Sequence, residues 1–144
     1  MFARIVVGVE IVAALVWAAP ASASPDSVVA VAVNPQTGTG EAAYGAKPLG
    51  YAIQDAIEAC DLAQGPGCVY AGATTNGCVG IAFYQGHSEW AADPTIKGAE
   101  RAAKRKLIGD LSNVSGGNRN ASGRNPILSA ACADGTSDGF ASGM

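Results

Sequence analysis

His87-Ser88-Glu89, with Asp93 a little further on, is the stretch whose residue types come nearest to hydrolytic machinery, and His87 is the only histidine in the chain. A Ser-His-acid relay needs the hydroxyl on the imidazole and the imidazole on the acid. Neighbours in a strand point to opposite faces, so Ser88 cannot reach the ring beside it. The chain is also expected to hold no Gly-x-Ser-x-Gly elbow. The 4 cysteines, Cys60, Cys68, Cys78 and Cys132, include no Cys-x-x-Cys pair, and one histidine cannot complete a mixed zinc site. Gly38-Thr39-Gly40-Glu41-Ala42-Ala43 fits the loose form of a dinucleotide fingerprint. That motif must leave a strand and enter a helix, whereas here it falls between two strand-like runs. The expectation is therefore no catalytic residues, no metal and no cofactor, with any hydrolase confined to scattered residues near His87, Glu89 and Asp93.

The elements that would carry these residues are legible from periodicity. Leu49, Ala52, Ile53, Ala56, Ile57 and Cys60 recur at three- and four-residue steps after Pro48 and predict a helix with one apolar face. Val28 to Val33 is a β-branched run, and Glu41 to Gly45 resumes it after a loose turn. Cys68 to Ala73 and Cys78 to Tyr84 are apolar runs parted by Asn76-Gly77, which predicts a hairpin. A strand over His87 to Ala91 follows through Gln85-Gly86. Asp93-Pro94 predicts a second helix start, with Asp93 as cap, running to about Ile108. Its inner stripe, Ile96, Ala99, Ala103 and Leu107, is mostly small and implies close approach to a sheet. Lys97, Arg101, Lys104, Arg105 and Lys106 crowd its outer side. They suit a solvated face, partly neutralised by Glu100 with Lys104 and by the acids of the first helix if the two helices lie side by side. Gly109 to Pro126 is loop-like, Ile127 to Cys132 predicts a closing strand, and 133–144 is expected to be a disordered tail.

Val29 to Cys60 weakly parallels Val79 to Leu107, with Gly50-Tyr51-Ala52 matching Gly98-Ala99-Glu100. Two strand-strand-helix units follow from this. The expected class is α+β, with both helices on one face of a small, mainly antiparallel sheet.

The chain has 144 residues and a net charge of −3, which bounds it to one domain and points away from nucleic acid. Residues 1–23 have the basic start, apolar middle and Ala21-Ser22-Ala23 site of a secretory signal peptide. Glu10 is unusual there but also argues against a retained span. The mature domain, 24–132, keeps all the cysteines, which in an exported chain reads as two disulfides with three possible pairings.

Ala30-Val31-Ala32-Val33-Asn34, Gly40 with Tyr44, the Ala52-Ala56-Ile57-Cys60 pattern, Cys68-Val69 and Cys78-Val79-Gly80-Ile81-Ala82 lead into an alanine-rich second helix and a last cysteine. In these features the chain resembles the small secreted bacterial proteins grouped as domain of unknown function 4189. The likeness covers Val29 to Leu107 plus Cys132. It departs at Ala130-Ala131-Cys132, where relatives have Trp-Ala-Cys, and in the length of the loop before it. The resemblance implies a fold and export, with a bacterial source in which the sequons at Asn113 and Asn120 are incidental. It implies no activity.

Chain geometry selects one pairing. Cys60 ends a helix and Cys68 opens a strand just beyond Gly65-Pro66-Gly67, within disulfide reach. Cys78 opens a strand and Cys132 closes the last one, so antiparallel neighbours would set them face to face. The expected protein is a monomeric, secreted interaction or effector module, extracellular or in the cell envelope, with an unidentified protein or envelope partner, no nucleic acid and no membrane span after signal cleavage.

Overall fold

The computed structural model describes residues 26–114 and 125–142; the predicted signal peptide lies outside them. In chain order the elements are β1 (Val28–Val33), β2 (Gly40–Gly45), α1 (Leu49–Gln64), β3 (Val69–Thr75), β4 (Cys78–Tyr84), β5 (His87–Asp93), α2 (Ile96–Val114), β6 (Ile127–Cys132), β7 (Ser137–Asp138) and β8 (Ala141–Ser142).

Every residue of β1 is buried. A strand apolar on both faces needs cover on both. Val28, Ala30 and Ala32 pack with Ala52, Ala56 and Cys60 of α1. Val29, Val31 and Val33 pack instead against Val79, Ile81 and Ala131, which belong to a second sheet. In that sheet Ala82 faces Ala103, Leu107 and Leu111 of α2. The class is α+β and the sheets are antiparallel apart from one short contact, as expected, but the single shared sheet is not formed. Two sheets meet face to face with one helix on each outer surface, because one helix per sheet leaves the opposite apolar face to be covered by the other sheet.

The first sheet has the order β3-β1-β2-β8 and the second β5-β4-β6-β7. Each is built by the same unit: a hairpin, a helix, and a third strand that returns antiparallel on the free side of the first. The repeat is thus β-β-α-β, one strand longer than the periodicity suggested. Cys68 to Ala73 and Cys78 to Tyr84 consequently do not form a hairpin. Asn76 takes a left-handed φ of 54°, but its amide and side chain bond back to Ser27 and Asp26. The chain there passes from one sheet to the other. The tight hairpin is β4–β5, where Gln85 and Gly86 both have positive φ, 48° and 82°, as a primed two-residue turn requires.

Both helices outrun their predicted ends, α1 reaching Gln64 and α2 reaching Val114. Thr95, not Asp93, caps α2: its hydroxyl accepts from the Gly98 amide at 3.1 Å. Asp93 steadies that cap by accepting from the Thr95 amide and hydroxyl, both at 2.9 Å. The alanine stripe brings α2 onto β4, and a Cβ on Gly80 would lie 2.2 Å from the Ala99 carbonyl carbon.

Both disulfides follow the predicted pairing, Cys60–Cys68 with Cα atoms 5.9 Å apart and Cys78–Cys132 with Cα atoms 3.9 Å apart. Cys78 and Cys132 are direct cross-strand partners. The C-terminal segment is not loose through Ser142. After the Asp134-Gly135 turn, β7 pairs with β6, Phe140 enters the core between the sheets, and β8 pairs with β2. Burying Phe140 is worth roughly 2–3 kcal/mol, enough to hold this strap across both sheets. Of the predicted loop, Gly109 to Val114 is helix, and residues 115–124 are outside the described part.

Candidate interaction surface

His87, Glu89 and Asp93 alternate along β5 and share the face that Ala91 turns toward α2. They do not converge. His87 and Asp93 stand at opposite ends of the strand, roughly 20 Å apart at the usual rise, and Asp93 is committed to Thr95. That bond holds the Asp93 carboxyl below its ordinary range, with Arg101 and Arg105 helping from a distance. Ser88 points the other way. Glu89 is half-buried, and a hydrogen bond to the Asp110 carboxyl raises its pKa, helped by burial and by repulsion from that acid; Lys106 opposes the rise. Lys106 donates to the Trp90 carbonyl at 3.0 Å and lies 5.5 Å from the centre of its ring.

One serine pattern corrects the expectation that the chain holds no Gly-x-Ser-x-Gly. Gly135-Thr136-Ser137-Asp138-Gly139 fits Gly-x-Ser-x-Gly, but a nucleophile elbow joins a strand to a helix. Here the segment joins β6 to β7, and the Ser137 hydroxyl donates to the Phe140 carbonyl at 3.4 Å. Gly38, in the other glycine motif, lies in the β1–β2 turn with its Cα against the Phe83 ring. The four cysteines are all spent on disulfides, and no group of metal-ligating side chains assembles among the described residues.

The basic row of α2 is partly neutralised, though not as the sequence suggested. Lys97 pairs with Asp138 on β7 at 2.8 Å and with Glu100 at 2.9 Å, which raises its pKa. Glu100 therefore serves Lys97 rather than Lys104. The acids of α1 cannot help, because the two helices occupy opposite outer faces. An open concavity of about 430 Å³ lies where the sheet-to-sheet connections meet, lined by Asn76, Thr95, Asp134, Thr136 and the Cys78–Cys132 bridge.

The four sheet edges differ more than the cavities do. An edge strand presents unpaired backbone groups, and proteins blunt it with short strands, charges, bulges or cover. The strap supplies two of the edges, β7 and β8, each of two residues. β5 carries His87, Glu89 and Asp93. β3 has seven residues and none is charged. Val69 is 47% and Tyr70 44% exposed. Its pairing to β1 skips Ala71, a bulge next to Gly72, where the Trp90 ring of β5 lies so close that a Cβ would meet it at 2.8 Å. Between the two edges Tyr70, Ala71, Ile81, Ser88, Glu89 and Trp90 line a recess of about 270 Å³.

A family model described as Domain of unknown function (DUF4189) matches residues 29–118, which span both hairpins and both helices. The chain belongs to that family. No curated protein and no solved structure matches it. The DUF4189 match begins inside β1 and stops beyond α2, so the strand β6, the strap and Cys132 lie outside it.

Proposed function

We propose that this DUF4189 protein is a secreted, non-enzymatic interaction module that presents the β3 edge to a partner. The observation that carries the reading is the contrast among edges: β3 is long and uncharged, opens with exposed Val69 and Tyr70 and carries one bulge, while the strap or side-chain charge blunts the other three. Secretion is supported by the signal-like residues 1–23 and by two disulfides, which persist in oxidising compartments. No helix among the described residues is long and apolar enough to cross a membrane. The hydrolase reading loses ground because Asp93 is bound in the α2 cap, far from His87.

Site-specific photocrosslinking of the exported protein tests this. A crosslinker at position 70 should give a discrete adduct that one at position 51 does not, Tyr51 being an equally aromatic but remote surface position on α1. Adducts at position 51 alone, or export without cleavage near Ser24, would count against the proposal.

A further inference from the structure

Resting on that reading, the geometry points to the chemistry of the partner. We infer that β3 takes an extended segment as an added antiparallel strand, with a lysine or arginine entering the Trp90 recess beside Glu89 and Asp110.

The backbone defines the first requirement. β3 pairs with β1 on one side only, and the groups left open along its seven residues are complementary to another backbone in extended form. The side chains define the second. Tyr70, Ser88, Glu89 and Trp90 line the recess between the edges of the two sheets, whose exposed surface is more polar than apolar and suits a charged head on an apolar stem. The close seat of Trp90 on Gly72 fixes that wall.

Charge defines the third. Glu89 lines the same recess, and Asp110 stands against it from α2. Opposing them are Lys106, which is held on the Trp90 carbonyl, and the exposed His87 on the same strand face. Two carboxylates there share one lysine. An incoming cation would relieve their repulsion and an incoming anion would increase it. A partner strand with acids at these positions is therefore disfavoured, and a second copy of β3, which carries no charge, leaves the acid pair unanswered.

The test is a titration of the isotope-labelled full chain with three synthetic peptides of alternating composition, valine with lysine, valine with serine, and valine with glutamate. The lysine peptide should shift the amides of residues 69–75 and the Trp90 indole. It should bind about tenfold more tightly than the serine peptide and weaken at high salt. N-methylation of its alternate backbone amides should abolish the shifts, and Glu89→Gln should cost about fivefold in affinity while leaving the serine peptide unaffected. Equal binding of all three peptides at β3 would overturn the charge requirement and leave the edge reading standing. Shifts at β3 that depend on protein concentration without peptide would replace the partner with a second copy. No response of β3 to any peptide would overturn both readings.

Discussion

Glu41 and Glu89 occupy the same place in the two β-β-α-β units. Each lies in the second strand of its hairpin, opposite an alanine of the central strand, Ala32 for Glu41 and Ala82 for Glu89. Both carboxyls titrate above their ordinary range, yet for different reasons. Glu41 is buried beside β8 and desolvation raises it, whereas Glu89 stands at a bare edge and its bond to Asp110 raises it most. The difference shows what the C-terminal strap does to a duplicated plan: it closes one side of the sandwich and leaves β3 and β5 open on the other.

The units are also fastened differently, and the largest expected effect comes from there. In the first unit Cys60–Cys68 ties the end of α1 to β3 across a short link. In the second, the corresponding link spans residues 115–126 without a cysteine, and Cys78–Cys132 instead joins the start of β4 to the end of β6. Val28 and Thr75 hold the equivalent register in the first unit, unbridged. By the loop-entropy relation the long closure contributes about 4.2 kcal/mol and the short one about 2.6. Replacing Cys78 and Cys132 with alanine should lower the melting temperature by roughly 15 °C, and replacing Cys60 and Cys68 by roughly 10 °C. Calorimetry on the two double variants checks the order; a reversal would mean that the α2–β6 link is held by something other than the bridge.

A smaller effect separates the helix seats. Ala30 and Gly80 are equivalent positions of the central strands, but only Gly80 has α2 backbone where a Cβ would go. Gly80→Ala should cost about 1–3 kcal/mol by overpacking. Ala30→Gly should cost about 1 kcal/mol from backbone entropy and one lost methyl. Urea titration of both variants would show equal losses if the two helices sat at the same depth.

The caps differ in the same direction. α1 starts at Pro48 without a side-chain cap bond, while α2 has Thr95 on the Gly98 amide. Thr95→Ala should cost about 1 kcal/mol, and Pro48→Ala should cost less, as read by the same titration.

The glutamates sharpen the comparison through pH, with a gain rather than a loss. A carboxyl whose folded pKa is raised is favoured protonated by the fold, so its ionisation destabilises as pH rises from acid through the folded pKa. Glu41→Gln removes that cost. It should raise the melting temperature at neutral pH, and the advantage should fade as pH falls into the carboxylate range. A melting difference independent of pH would mean that Glu41 is not desolvated.

Much of this plan is legible in the sequence. Helix periodicity marked Ala52, Ala56 and Cys60 and likewise Ala99, Ala103 and Leu107, and the cysteines at element ends sufficed for the pairing. The second sheet was harder to see. An unbroken apolar run such as Val28 to Val33 states that both faces are covered but not by what. Asn76-Gly77 promised a hairpin because turn chemistry is local, while the partner of β3 is set by β1, far away in the chain. Phe140 was hidden among glycines and serines whose composition resembles a tail, although a single buried aromatic outweighs it. The Glu89–Asp110 contact joins β5 to the last turns of α2, where the composition reads as loop, so no spacing points to it.

Native-state amide hydrogen exchange on the full chain tests the central claim most directly, because it reads each edge separately. The alternate β3 amides that face away from β1 should exchange quickly, as exposed edge groups do. The amides of β1 and β4, both central strands, should be protected close to the global unfolding limit, and so should those of β2 that β8 covers. If β3 were protected throughout in the isolated protein while the β2 edge exchanged freely, the open side would have been assigned to the wrong half of the molecule.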